Sequence, residues 1–353
     1  MVESKFGRRA VTISVVMAFA VVGLWGFHEW DLRDQLTEEF DPKVIAEITQ
    51  PLRVQIRALK TQAQVNGWFE REEAVARARL LPRRARIRPD QSKGVVWASA
   101  NGFETELAIV SIHGFSASRL EVEPVLSEVA SKLHANIVFT RLAAHGLSDG
   151  EDFATVRARD WAVDVEEAIE VGRRIGRRVA IVAMSTGAPL ALEYVARHDV
   201  EIKREKQLTS LILLSPNYRP AAFGSFLLAG RTGGFFGKLL LGSYREFKTE
   251  NRLHAERWTS RYRTEGLAAM MTAVESVRYL DFSKIPLPVL TIYSNRDDVV
   301  SVSEIEKRSR EFLPPSRAIE WPEATRHELA SATFTPEKRF ELEALIQNWL
   351  QKF

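Results

Sequence analysis

No cysteine occurs anywhere in the 353 residues. That excludes a disulfide framework, a thiolate nucleophile and a thiolate-bound metal, and it fits any redox compartment. Strong charge of either sign is missing too: 49 Lys and Arg face 46 Asp and Glu, a net +3. So small an excess gives no basis for a nucleic-acid or acidic partner. Internal repeats and low-complexity tracts are absent from the sequence. Histidines number only seven, and none falls in a His/Asp/Glu cluster with metal-ligand spacing, so neither metal nor cofactor is expected. Long hydrophobic runs are equally scarce. There is one, and it comes first.

From Ala10 to Phe27 the only polar residues are Thr12 and Ser14; Lys5, Arg8 and Arg9 precede the run, and Trp25 and Trp30 mark its far end. About 18 apolar residues is near the lower limit for a helix crossing a hydrocarbon core of ~30 Å. Indoles favour the membrane interface, and cationic residues stay on the cytoplasmic side. The expectation is a single-pass anchor over residues 1–28, with the remaining chain on the non-cytoplasmic side (the periplasm in a Gram-negative cell). Three alternatives stand beside it. Ala18-Phe19-Ala20 offers a cleavage site for a signal peptide, Arg8-Arg9 opens a twin-arginine signal, and a buried core helix would also be apolar.

Residues 29–93 read as a helical stalk or an N-terminal cover, broken near Pro51, with an exposed helix over Trp68–Leu81 that stops before Pro82. Arg83, Arg84, Arg86 and Arg88 read as a solvated linker face, with anionic lipid as the lesser alternative. Beyond Gly94, apolar runs alternate with amphipathic stretches, the pattern of a mostly parallel sheet covered on both faces by helices. Expected strands are Val95–Ala98, Leu107–Ile112, Asn136–Thr140, Val179–Ala183, Ser210–Leu214, Val289–Tyr293 and Ala318–Trp321. Expected helices are Glu121–Leu133, Ala158–Ile175, Gly187–Arg197, Ser303–Glu311 and Pro336–Gln351. About 70 residues separate two of these strands, too many for a loop. The domain plan is therefore a core over 94–215, a helical cap insertion over 216–285 and a second part of the core over 286–353.

Val182-Ala183-Met184-Ser185-Thr186-Gly187 is an apolar strand that breaks into a helix at a serine. A serine on such a turn points its hydroxyl out above the sheet, and its neighbours two positions away must be small. Ser185 is the candidate nucleophile. Acyl transfer through it needs backbone donors for an oxyanion, and Phe115, after His113-Gly114, and Thr186 are placed to supply them. A serine hydroxyl also needs a histidine base and a carboxylate that orients it. His327 follows a late strand, and a carboxylate follows the strand before it, at Asp297-Asp298. The chain order Ser185, Asp297, His327 differs from that of the two large serine protease families.

From about Val95 onward these residues resemble the α/β-hydrolase superfamily, in particular its monoacylglycerol lipase, lysophospholipase and serine aminopeptidase-like group. The group's HG-x loop matches His113-Gly114-Phe115, and its GHG-x-S stretch matches Ala144-His145-Gly146-Leu147-Ser148. Its G-x-S-x-G elbow matches Ala183 to Gly187, and its G-x-x-D-x-V acid strand matches Ser294 to Val299, which implies Asp297 as the acid, with Asp298 as second candidate. His327 stands at the late histidine. Alanine or serine replaces glycine at 183, 144 and 294, which loosens the subfamily assignment. The resemblance implies an α/β-hydrolase fold with a cap. It also implies a serine hydrolase cleaving carboxylic esters, with a small-molecule, lipid-derived ester as partner and no nucleic acid. Aminopeptidase, amidase or acyltransferase chemistry on the same residues, and a non-catalytic binding module, remain as alternatives. It implies a structural role for His145. His134 and His198 read as surface or capping residues. Trp258, Tyr262, Met270, Met271 and the phenylalanines of the insertion read as cap core with some pocket lining, and Arg219 and Arg261 as solvated.

Overall fold

The computed structural model describes residue 26 and residues 28–222, 224–249, 251–321, 327–329 and 336–353. The apolar run over residues 10–27 therefore lies outside the described residues, apart from Gly26. Among the described residues, no helix is long and apolar enough to cross a membrane.

Nine strands appear in chain order: β1 (Gly94–Val96), β2 (Thr105–Ile112), β3 (Asn136–Phe139), β4 (Gly176–Met184), β5 (Leu208–Leu214), β6 (Tyr244–Glu246), β7 (Arg261–Arg263), β8 (Val289–Tyr293) and β9 (Arg317–Glu320). Seven form one sheet in the order β1-β3-β2-β4-β5-β8-β9; β6 and β7 pair separately. Only β1 runs antiparallel within the large sheet. The helices are α1 (residues 28–39), α2 (Pro42–Arg57), α3 (Gln62–Leu80), α4 (Glu123–Lys132), α5 (Ala158–Ile175), α6 (Gly187–Arg197), α7 (Asp199–Glu205), α8 (Gly230–Leu241), α9 (Arg252–Arg257), α10 (Gly266–Glu275), α11 (Val302–Ser309) and α12 (Pro336–Lys352).

Period-two alternation sends neighbouring residues of a strand to opposite faces. In β2, Ala108, Val110 and Ile112 enter one core with Trp161 and Ile169 of α5 and Leu190 of α6. Leu107 and Ile109 enter the other core, with Val125 and Val129 of α4 and Ile346 and Trp349 of α12. Both faces are covered, so the strands read as continuous apolar runs.

The amino-terminal part differs from expectation in three respects. The helix runs through Pro51, and the break falls at residues 58–61 instead. Pro51 and Glu47 both lie on the exposed face, so the carbonyl freed by the missing N–H is left to water. Thr61 then starts α3 six residues earlier than expected by accepting the Gln64 N–H at 3.2 Å. Finally, the arginine cluster is exposed as expected at Arg83, Arg84 and Arg86, but two of its members are tied to the fold. Arg83 pairs with Asp149 and Asp152, and Arg88 donates to the carbonyls of Ala255, Glu256 and Trp258, the last at 2.8 Å.

The two helices α2 and α3 lie over the core, held by ion pairs that are largely buried. Arg53 meets Glu166 at 2.7 Å and Arg57 meets Glu170 at 3.1 Å. The Trp68 indole donates to Glu167, which also pairs with Lys93. Arg141 forks onto both oxygens of Glu73. His198, expected at the surface or as a cap, caps the end of α6 and lies half-buried in this network, 2.7 Å from Glu166. The segment between β5 and β8 carries α8, α9, α10 and the β6–β7 pair. A separate apolar cluster joins it to α1 through Leu32, Ala229, Met271 and Val274.

Candidate active site

The residues singled out from the sequence converge at the carboxyl ends of β2, β4, β5 and β8, where open α/β sheets leave room for ligands. Ser185 follows the last residue of β4 with φ of +50°, in the left-handed region. A non-glycine residue there is strained, and such strain concentrates at functional sites. Close packing enforces the turn. A Cβ on Gly187 would sit 2.6 Å from the Ile112 carbonyl oxygen and 2.9 Å from that of His113. Ala183, fully buried within β4, is accommodated where glycine was the expected residue.

His327 Nε2 lies 2.8 Å from Ser185 Oγ, and His327 Nδ1 lies 2.7 Å from Asp297 Oδ2. The other Asp297 oxygen accepts the N–H groups of Val299 and Val300 at 2.9 and 3.0 Å. Asp298 is exposed and takes no part in this chain of contacts. Ser215 donates its hydroxyl to the His327 carbonyl at 2.8 Å and so fixes the histidine's backbone. Burial alone would push Asp297 up, but the hydrogen bond and charge of His327, with the two amides, hold it below the usual carboxylate range. Burial likewise depresses His327, yet Asp297, Glu121 and Glu328 outweigh it and raise the imidazole above its ordinary value. The arrangement is that of a base held in one tautomer by an ionised acid.

Phe115 and Thr186 both line the cavity beside Ser185. Among the described residues, neither backbone N–H is taken by a protein acceptor. The loop that carries Phe115 is held from behind. His113 Nε2 accepts the Leu142 N–H at 3.1 Å, and burial pushes this imidazole down to about 4, so it stays neutral. His145 packs edge-on against Phe115, Phe153 and Trp161. Buried and held well below its ordinary value, His145 supports the loop from within the core.

Two acidic residues at the site carry no sequence signal. Glu121 lies in a short turn before α4, where an acid reads simply as a helix-dipole partner. It reaches back to accept the Gly114 N–H at 2.8 Å, and burial pushes its carboxyl up to about 7. Glu328 lines the same cavity. The cavity measures about 680 Å³ and is lined on the cap side by Phe247, His254, Trp258, Tyr262 and Met270. Met271 belongs instead to the contact with α1. Arg261 stacks on the Tyr244 ring at 3.7 Å, and Arg219 donates to Ser301. Neither arginine lines the cavity. No group of acidic or histidine side chains able to hold a metal occurs among the described residues.

Residues 109–340 match the model of the alpha/beta hydrolase family. A comparison with curated proteins gave no sequence match. Among solved structures, one reported for the metagenome-derived lipolytic enzymes LipS and LipT superposes with a TM-score of 0.59 at 16% identity, covering 76% of this chain and 100% of that one. A soluble variant of the monoglyceride lipase of Saccharomyces cerevisiae, in complex with a substrate analog, gives 0.57 at 14% identity, covering 74% and 91%. The monoacylglycerol lipase of Paleococcus ferrophilus gives 0.53 at 13% identity, covering 73% and 98%. At these identities the superpositions speak for the fold alone.

Proposed function

Since the chain belongs to the alpha/beta hydrolase family, we propose that it hydrolyses carboxylic esters through an acyl-enzyme on Ser185. The observation that carries this reading is the unbroken line Ser185–His327–Asp297, at 2.8 and 2.7 Å. Ser185 Oγ bonds to the ester carbonyl carbon as its proton passes to His327 Nε2. Asp297 keeps the imidazole oriented and stabilises the imidazolium. The oxyanion is held by the N–H groups of Phe115 and Thr186, donors fixed in place before charge develops. Collapse breaks the bond to the alcohol oxygen, which takes the proton from Nε2. Water, deprotonated by the same nitrogen, then releases the acid and restores Ser185.

The aromatic cap wall and the cavity volume suit an acyl chain, and lipase or esterase names recur among the structural neighbours. A fluorophosphonate probe should label the wild-type protein at Ser185 and leave Ser185→Ala unlabelled; equal labelling of both would sink the assignment. Glu121 and Glu328 beside Ser185 favour one second reading, an aminoacyl substrate whose ammonium group meets these carboxylates. Rates on matched ester and aminoacyl-amide substrates separate the two.

We also propose that the apolar run over residues 10–27 is an uncleaved anchor that places the domain on the non-cytoplasmic face. Its support is in the sequence: apolar length, flanking Trp25 and Trp30, and Lys5, Arg8 and Arg9 on one side only.

A further inference from the structure

Helix α8 is built inside out for a water-facing helix. Its glycines point inward. A Cβ on Gly233 would meet the Leu228 backbone at 2.3 Å, one on Gly237 the Leu228 side chain at 3.1 Å, and one on Gly234 the Ala268 side chain at 3.4 Å. Its large apolar side chains point outward. Phe235 is 68% exposed, Leu239 68% and Leu240 75%, and the preceding turn adds Leu227 at 50% and Phe226 at 38%. An apolar face of this kind marks an interaction surface.

Two further observations identify what it meets. The residues that directly follow the apolar amino-terminal run lie at this corner. His28, the residue after the run, contacts the Phe226 carbonyl through Nε2 at 3.1 Å. Three residues on, Asp31 accepts both the N–H and the hydroxyl of Thr232 in α8. The charge is uneven as well. Residues 216–285 hold eleven Lys and Arg against six Asp and Glu, an excess of five, although the whole chain's excess is only three. A basic segment with an exposed apolar face, fastened to the residues that follow a membrane-length run, fits the interfacial layer of an anionic bilayer.

We propose that the turn before α8 and the outer face of α8 seat in a lipid bilayer, with Phe226, Leu227, Leu239 and Leu240 entering the boundary between headgroups and acyl chains. The orientation rests on the anchor reading of residues 10–27; the inverted face of α8 does not. Docked in this way, the cap lies against the membrane, and a lipid-derived ester is delivered to the cap side of the cavity.

The absence of cysteine makes the test clean. The full-length chain carrying Leu240→Cys is labelled with an environment-sensitive fluorophore and reconstituted into vesicles of equimolar phosphatidylcholine and phosphatidylglycerol bearing quenchers on the acyl chains. Val200→Cys in α7, 73% exposed and outside the cap, serves as the control. Labelling of Ser185 by the fluorophosphonate probe reports that both variants are folded. Vesicle co-sedimentation reports the anchor independently. Docking predicts quenching at position 240 that exceeds position 200 by roughly twofold or more. Equal, weak quenching at both positions in protein that co-sediments overturns the docking and leaves the anchor standing; the face then belongs to a second copy or to the chain's own amino-terminal run. Failure to co-sediment removes the anchor, and absent quenching in that protein removes the docking as well.

Discussion

Glu121 puts a second carboxyl into the electrostatics of His327, opposite the one that holds it. Below about 7 this carboxyl is neutral; above, it is an anion that makes the imidazolium harder to deprotonate. Because the base must be neutral to act, kcat/KM should rise with pH through the raised value of His327. Glu121→Gln keeps an oxygen for the Gly114 N–H and removes the anion. The half-maximal point of the acidic limb, measured on a soluble ester, should then move to lower pH by about half a unit; an unmoved limb would show that Glu121 serves the loop alone. Nothing in the local sequence distinguishes Glu121, since its partner Gly114 is contacted only after the chain has folded back. Ser185 and His327 were legible because each sits at a fixed offset from a strand end. In the sequence Asp297 is preferred over Asp298 only through the resemblance of Ser294 to Val299 to the family's acid strand; the backbone that turns one side chain inward and leaves its neighbour exposed gives the physical reason.

At the scale of elements, the bounds expected for α5, α6 and β8 agree with those observed. Each combines a fully buried stripe with a sharp end: Gly176 after α5, the Ser185 turn before α6, and Pro288 before β8. Elements whose ends are set by distant partners were less legible. The strand β1 shifts by a residue or more and runs antiparallel, because its register comes from pairing with β3 and not from its own pattern. Helix α2 passes through Pro51 because the proline faces water. The β4–α6 junction is packed backbone against backbone. Gly187→Ala should cost ~1–3 kcal/mol through the clash with the Ile112 carbonyl and should suppress probe labelling by displacing Ser185 and Thr186. Thermal unfolding with fluorophosphonate labelling checks both effects. Unchanged labelling would mean that the turn relaxes more freely than its contacts imply.

The whole molecule is more unified than its sequence suggests, for the segment read as a stalk or cover closes over α5 through charged pairs. Glu166 is fully buried; against the upward push of burial, the hydrogen bond and charge of His198, then the charges of Arg197 and Arg53, hold it at about 2. A carboxyl depressed in the folded state stabilises above its unfolded value of about 4.5 and loses that contribution as pH falls toward 2. Arg53→Met should therefore lower stability by ~1–3 kcal/mol near neutral pH, and the deficit should shrink as the wild type is acidified. Denaturant unfolding across that range tests it; a deficit independent of pH would assign the loss to packing. The linker joins this closure, since Arg88 ties three carbonyls around Trp258 to a strap that is itself paired to the core at Ile87 and Leu147. The Trp258 side of the cavity wall is braced from outside by that strap, so a change at Arg88 in the linker should be felt at the wall of the cavity.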